Sequence, residues 1–309
     1  MIVTVTINPA IDRTLNVDRL VFEDRAYINS THEAAGGRGI NSSLVVHSFG
    51  EQTLAVLTSG GEPGKRLEEL LAHQGLPLAV VPIAGDTRTN FTVTDRHGLT
   101  VNLNEKGPEM SKAEVAAVER TVRKALDRAS WLLVCGSIPP GVHAEFYAQL
   151  IALARKKQVR SLLHCDGAAL REGIEAKPTV VTPNQQEAER LLGRTLLTRT
   201  HYIEAAERIR HMGAESVALL LGSRGAVGAY ADRVIEALPP RVDALCPIGA
   251  GDAMCAAYCL TLDRKDDPAD ALRWGVAAGT ASARLAGMQF AGPDETREMY
   301  ESVEIRRVD

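Results

Sequence analysis

The chain has 309 residues, 45% hydrophobic and 24% charged but only 4% aromatic, so its core must be built mainly from Ala, Leu and Val. Its 35 basic and 39 acidic residues leave a formal charge of −4, which gives no support for nucleic acid or an anionic membrane as a partner. The first eight residues carry no basic run or long apolar segment, so no signal peptide or membrane span is expected, and five scattered cysteines point to reduced thiols in a cytoplasm.

In chain order, residues 2–7 read as a strand from their β-branched content, and residues 40–49 as a helix following a Gly-rich turn. Residues 53–57 read as a strand and 65–74 as a helix stopped by Gly75. Ser111, with Glu114 three residues on, forms a capping box that opens a helix. Residues 131–135 form a nearly continuous apolar run, as expected of a strand buried on both faces. A helix over 144–157 follows, then strands at 159–164, 179–181 and 216–221 with helices between them, and an apolar helix from 250 to about 262. This alternation predicts an α/β fold, a parallel sheet with helices on both sides. Cys255 and Cys259 lie four apart on the last helix and could share a metal, but no His is near in sequence, so they read as small core residues.

Two stretches break the rhythm. Residues 14–33 and 89–103 carry short strand-like runs with little helical period, the second around a hairpin turn at Asp95-Arg96-His97-Gly98. They predict one small β-sheet, from about 12–35 and 87–105, projecting from a single domain spanning 1–309. Such a sheet could close as a lid or pair with a second subunit, making a homodimer. No repeat, low-complexity tract or long linker interrupts the chain.

Two Gly-rich turns carry the chemistry. Gly249, Ala250 and Gly251 open the apolar helix, where free backbone N–H groups and roughly half a positive charge attract an anion. Asp252 follows in the first turn. A carboxylate beside an anion site makes sense if it takes the proton from a hydroxyl attacking a phosphoryl group, so Asp252 is the expected base of a kinase. The second turn, Gly36-Gly37-Arg38-Gly39-Ile40-Asn41, also precedes a helix and adds the charge of Arg38 and the amide of Asn41. Neither turn is a dinucleotide fingerprint, and Gly64-Lys65 is followed by Arg66, so there is no P-loop.

These turns belong to a longer series: Thr6-Ile-Asn-Pro-Ala-Ile-Asp12, Gly36 to Asn41, Asp86-Thr-Arg-Thr-Asn90, Cys135-Gly-Ser-Ile-Pro-Pro-Gly141, Pro183-Asn-Gln-Gln-Glu187, Leu221-Gly-Ser-Arg-Gly225 and Gly249-Ala-Gly-Asp252. In this order the chain resembles, over nearly its whole length, the PfkB branch of the ribokinase-like sugar kinases. Within it, it looks most like the phosphosugar kinases, which hold 1-phosphofructokinase, tagatose-6-phosphate kinase and the minor 6-phosphofructokinase. The resemblance implies a three-layer α/β/α fold with a mostly parallel sheet and a projecting lid sheet. It implies ATP-dependent phosphorylation of a ketohexose phosphate with Mg²⁺. Asp12 would bind sugar hydroxyls. Arg88, Asn90 and Ser137 would grip the phosphate already on the substrate, with Arg25, Gly37, Arg38 and Asn41 as further substrate contacts. Asn184 and Glu187 would organise Mg²⁺, Glu187 through water. Gly222, Ser223 and Gly225 would lie near the nucleotide phosphates, and Ala278 and Ser282 beside the adenine. A kinase of an unphosphorylated sugar or nucleoside, or a sugar-phosphate sensor without turnover, is the alternative. The chain departs from the family pattern at Thr182, where Lys is usual, and at His164-Cys-Asp-Gly167, where Asp-x-Ser-Gly is usual. It departs again at Cys246, usually Asp or Asn, and at Leu220, usually Ser. All four lie toward the nucleotide half.

Overall fold

The computed structural model describes residues 1–21 and 23–308. The chain opens with β1 (Ile2–Thr6), then β2 (Ala10–Val17) and β3 (Ile28–Gly36), and turns at Gly37 into α1 (Arg38–Ser48). β4 (Thr53–Ser59), α2 (Gly61–Ala72) and β5 (Leu78–Pro82) follow, then the hairpin of β6 (Arg88–Asp95) and β7 (Thr100–Asn104). The central run is α3 (Lys112–Ala125), β8 (Trp131–Cys135), α4 (Phe146–Lys156), β9 (Arg160–His164), α5 (Gly167–Glu175), β10 (Val180–Val181), α6 (Gln185–Leu192), α7 (Arg199–His211) and β11 (Ser216–Leu220). The chain closes with β12 (Ala226–Ala229), β13 (Val234–Leu238), α8 (Ala250–Lys265), α9 (Pro268–Ala283), α10 (Pro293–Ser302) and β14 (Glu304–Val308).

Ten strands form the main sheet in the order β14-β13-β12-β11-β10-β9-β8-β1-β4-β5. From β11 to β5 every pairing is parallel; β12, β13 and β14 extend one edge as antiparallel strands. Alternation along the buried strands sorts the layers. Leu132 and Val134 of β8 pack with Val118, Leu150, Ile174 and Ile209 from α3, α4, α5 and α7. Trp131, Leu133 and Cys135 of the same strand face Val46, Cys255 and Ala277 from α1, α8 and α9. The small residues of α8 and α9 let these two helices pack closely: a Cβ on Gly279 would stand 2.8 Å from the Ala250 carbonyl oxygen. Cys255 and Cys259 are fully buried in this layer. Among the described residues no helix is long and apolar enough to cross a membrane.

The second sheet has the order β3-β2-β6-β7, with β2 and β6 parallel and both outer pairs antiparallel. Its hairpin turns where the sequence indicates: Oδ1 of Asp95 accepts the N–H groups of His97 and Leu99 at 2.8 and 3.0 Å, and Gly98 takes a positive φ of 83°. The Ser111–Glu114 capping box forms in both directions. Helix α2 starts four residues before the expected Lys65, because Glu62 and Pro63 suit a first turn, where a missing N–H costs nothing. The strands the sequence does not announce are β5, β12, β13 and β14. They are short, and β12 is mostly Ala and Gly, without the β-branched signature.

Candidate active site

Beside the ends of the parallel strands lies a cavity of about 1210 Å³. That exceeds the roughly 300–1,000 Å³ of a typical single-ligand site and leaves room for two substrates. Its two ends differ in chemistry.

At one end the small sheet supplies the polar groups. Asp12 on β2 sits across the ladder from Asn90 on β6, whose Nδ2 donates to Asp12 Oδ1 at 2.8 Å. The approach is close: a Cβ on Gly36 of β3 would fall 2.1 Å from Asp12 Oδ2, so only glycine fits. Burial raises the Asp12 carboxyl above its usual range, against the opposing pull of Asn90 and Arg88. Arg88 is fixed by backbone carbonyls, donating Nε and Nη2 to Asn8 O and Nη1 to Glu105 O. Burial lowers its pKa. Asn8 donates to Ser137 Oγ at 3.0 Å. The Oδ1 atoms of Asn8, Asn41 and Asn90 and Nη1 of Arg38 are buried with no partner. A cluster of unsatisfied groups at one cavity is costly unless a ligand completes it.

At the centre, α8 and α1 both direct their N-termini into the cavity. Gly249 caps α8 with a φ of 82° and no side-chain bond; a Cβ there would meet Phe290 at 2.8 Å. Ala250 N–H turns back to Pro247 O at 3.2 Å, while the N–H groups of Gly249, Gly251 and Asp252 have no intramolecular acceptor among the described residues. These are the free donors of an anion site. Asp252, 6% exposed, accepts Asn41 Nδ2 on Oδ2 at 2.7 Å, and its Oδ1 lies 3.3 Å from Nε2 of His164.

The other end is lined by Asn184, Gly222, Ser223 and Gly225, by residues 239–244 and by Pro247 and Ile248. Asn184 and Glu187 close a capping box at the start of α6, so Glu187 Oε2 is taken by Asn184 N–H at 2.9 Å. Its Oε1 takes Nη2 of Arg38 at 2.8 Å. Burial works against the Arg38 charge, but Glu187 and Asp252 outweigh it and hold the guanidinium firmly protonated.

Most residues nominated from sequence therefore meet in one cavity: Asp12, Gly37, Arg38, Asn41, Arg88, Asn90, Ser137, Asn184, Gly222, Ser223, Gly225 and the Gly249–Asp252 turn. Four do not line it. Arg25 is exposed on the small sheet's periphery. Glu187 is buried behind Arg38. Ala278 and Ser282 face the core, and Ser282 Oγ accepts Ala291 N–H at 3.0 Å. Helix α9 borders the cavity instead through Val276, Gly279, Thr280 and Ala283, one position away on the helical face. Residues not nominated for the site also line it: Asn8, inside the first motif; His164 and Asp166, in the run that departs from the family pattern; and Arg241. A polar ring ending an otherwise apolar buried strand was the available signal for His164.

Free backbone N–H groups at a helix start, a buried carboxylate beside them and a polar small sheet facing the same cavity are the parts that a phosphotransferase with an alcohol acceptor requires. The chain belongs to the pfkB family of carbohydrate kinases, whose pattern it matches over residues 2–295. It is 30% identical over 302 residues to the ATP-dependent 6-phosphofructokinase isozyme 2 of Escherichia coli, covering 97% of each chain. It is 25% identical over 304 residues to the 1-phosphofructokinase of Vibrio cholerae, covering 98% of this chain and 96% of that one. The crystal structure of Escherichia coli phosphofructokinase-2 in complex with potassium superposes with a TM-score of 0.90 at 30% identity, over 97% of this chain and 98% of that one.

Proposed function

We propose that this protein transfers the γ-phosphoryl group of ATP to a hydroxyl of a ketohexose phosphate. The acceptor is fructose 6-phosphate or fructose 1-phosphate, giving fructose 1,6-bisphosphate, with tagatose 6-phosphate as the third candidate. The observation that carries this reading is the placement of Asp252: a buried carboxylate in the first turn of α8, between three free backbone N–H groups and the Asp12–Asn90–Arg88 cluster.

Asp12 and Asn90 accept and donate hydrogen bonds to sugar hydroxyls. Arg88, Asn90 and Ser137 hold the acceptor's own phosphate, with Arg88 pre-aimed by its carbonyl partners and Ser137 Oγ placed by the amide of Asn8. Asp252 takes the proton of the attacking hydroxyl as its oxygen bonds the γ-phosphorus and ADP departs with the bridging electron pair. The N–H groups at the head of α8 stabilise charge on the transferring group. Gly222, Ser223, Gly225 and the face of α9 border the nucleotide. Asn184 and Glu187 would help hold Mg²⁺, which would neutralise charge on the nucleotide phosphates. Glu187 is 1% exposed with both oxygens bonded, so it would act by holding Asn184 and Arg38 rather than as a direct ligand. The Arg38–Glu187 pair ties the α1 turn to α6. The reading includes a cytoplasmic location and a homodimer joined through the small sheet, whose Tyr27, Ile28, Leu99 and Leu103 are exposed.

A coupled kinase assay with Mg-ATP against the three phosphosugars, free fructose and ribose tests the proposal, with Asp252→Asn in parallel. Turnover on one phosphosugar is expected, with kcat falling about 10²- to 10⁴-fold in the variant and KM little changed. Turnover on free sugars alone would assign the unphosphorylated class. Phosphosugar binding without turnover would make the protein a sensor.

A further inference from the structure

His164 ends β9 at the floor of the cavity, is 4% exposed, and stands where the family pattern carries Asp. Its Nδ1 lies 2.8 Å from the carbonyl oxygen of Thr182. Thr182 Oγ1 lies 3.0 Å from the same nitrogen but is placed to give its own proton to Leu163 O at 3.4 Å; the carbonyl only accepts, so Nδ1 is the donor to both Thr182 oxygens and carries a proton. Nε2 then faces Oδ1 of Asp252 at 3.3 Å. In the neutral ring Nε2 would be a lone pair set against a carboxylate, which is repulsive. A proton on Nε2 turns this contact into an ion pair.

The base itself needs such a partner. A carboxylate as buried as Asp252 is driven toward its neutral form unless a cation or strong donors offset burial. The charge of Arg38 also acts on Asp252, but its hydrogen bond goes to Glu187, and Asn41 supplies one neutral donor, to Oδ2. Nε2 of His164 is the group placed at Oδ1. We propose that His164, as an imidazolium whose Nε2–H faces Oδ1 of Asp252, is a positioning residue that aims this carboxylate and keeps it ionised for proton abstraction. The inference rests on the assignment of Asp252 as base. The substrate proton goes to Asp252; His164 keeps its own throughout.

The groups around the ring are Asp252 and Cys255 of α8, Arg38 of α1, Cys135 of the neighbouring strand β8 and the Thr182 carbonyl after β10. Burial opposes the imidazolium most strongly and Arg38 adds to that; Cys255 and Asp252 favour it, and the balance lifts the ring to about 10. The raised value places imidazolium loss on the alkaline side: activity holds through neutral pH and falls as pH rises toward 10.

Long-range ¹H–¹⁵N NMR of the ring nitrogens in the full-length protein tests this directly. Both nitrogens of His164 protonated at pH 7.5, with Nε2 losing its proton near pH 10, is the expected result; a neutral ring at pH 7.5 overturns the proposal. In His164→Gln, which can donate but carries no charge, kcat should fall about ten- to a hundredfold with KM for ATP and sugar within about threefold, and the alkaline limb should disappear. A lower Tm with an unchanged alkaline limb would mean a structural role only, again overturning it. Should that variant not fold, the NMR titration on the natural chain still decides. Asp252→Asn separates the two claims: turnover that survives it removes the base assignment, whatever the state of His164.

Discussion

At the residue scale, binding and stability pull against each other at Asp12. Burial raises its carboxyl, so the ionised form destabilises the fold increasingly as pH climbs above the ordinary carboxylate range. Asp12→Asn should therefore raise the Tm of the ligand-free protein at pH 7 by about 1–3 °C. The gain should vanish when both proteins are melted near pH 3. The same variant should raise the acceptor KM at least tenfold while leaving the ATP KM unchanged; a variant that melts lower at pH 7 would contradict this account. The opposite sign applies at His164, where the charged form is favoured and the contribution is lost as pH rises. Asp252 was legible because its short Gly-rich turn has a local chemistry, whereas Asp12, Arg88 and Asn90 were placed by the family resemblance of the motif series. Glu187 lies off the cavity wall because it is held by Arg38, 149 positions away, a separation no spacing rule connects. Ala278 and Ser282 miss the cavity because a one-position offset on a helix turns a side chain by about 100°.

At the element scale, the site depends on two helices that begin without side-chain caps. Gly37 and Gly249 are the N-caps of α1 and α8, both at positive φ and both against a neighbour's side chain. Ser, Asn or Asp, the usual caps, would consume the N–H groups that an incoming phosphate needs. Gly249→Ala should cost about 1–3 kcal/mol from backbone strain and contact with Phe290. It should also lower kcat more than tenfold, measured by chemical denaturation and steady-state kinetics; unchanged kinetics would show that the turn's backbone is not the anion cradle. The alternating pattern made β1, β4, β8, β9 and β11 readable, since strands buried on both faces need long apolar runs. It could not reveal β12, β13 and β14, whose identity as an antiparallel edge depends on what they pair with rather than on their composition.

At the scale of the whole molecule, the small sheet presents large apolar side chains to solvent among its polar ones. Exposed Tyr27, Ile28, Leu99 and Leu103 make it the place where two copies should meet. Sedimentation of the natural chain should give a dimer, and the Ile28→Asp, Leu103→Asp double variant a monomer that is still folded; a natural chain that sediments as a monomer would end that proposal. The order of the layers has another consequence, in the making of the chain. The helices α3 to α7, which cover one side of the main sheet, are synthesised between its strands, so that side is covered as it forms. The opposite side, with Ile2, Trp131, Leu133, Leu162 and Ala218, is covered early only by α1 and otherwise waits for α8 and α9, which come after β13. A chain still on the ribosome that has reached Leu238 already holds Asp12, Arg88 and Ser137, yet has much of one sheet face uncovered and lacks Asp252. Synthesis of α8 and α9 hides that apolar surface and delivers Asp252 together, so a chain stalled before that point is prone to stick to its neighbours.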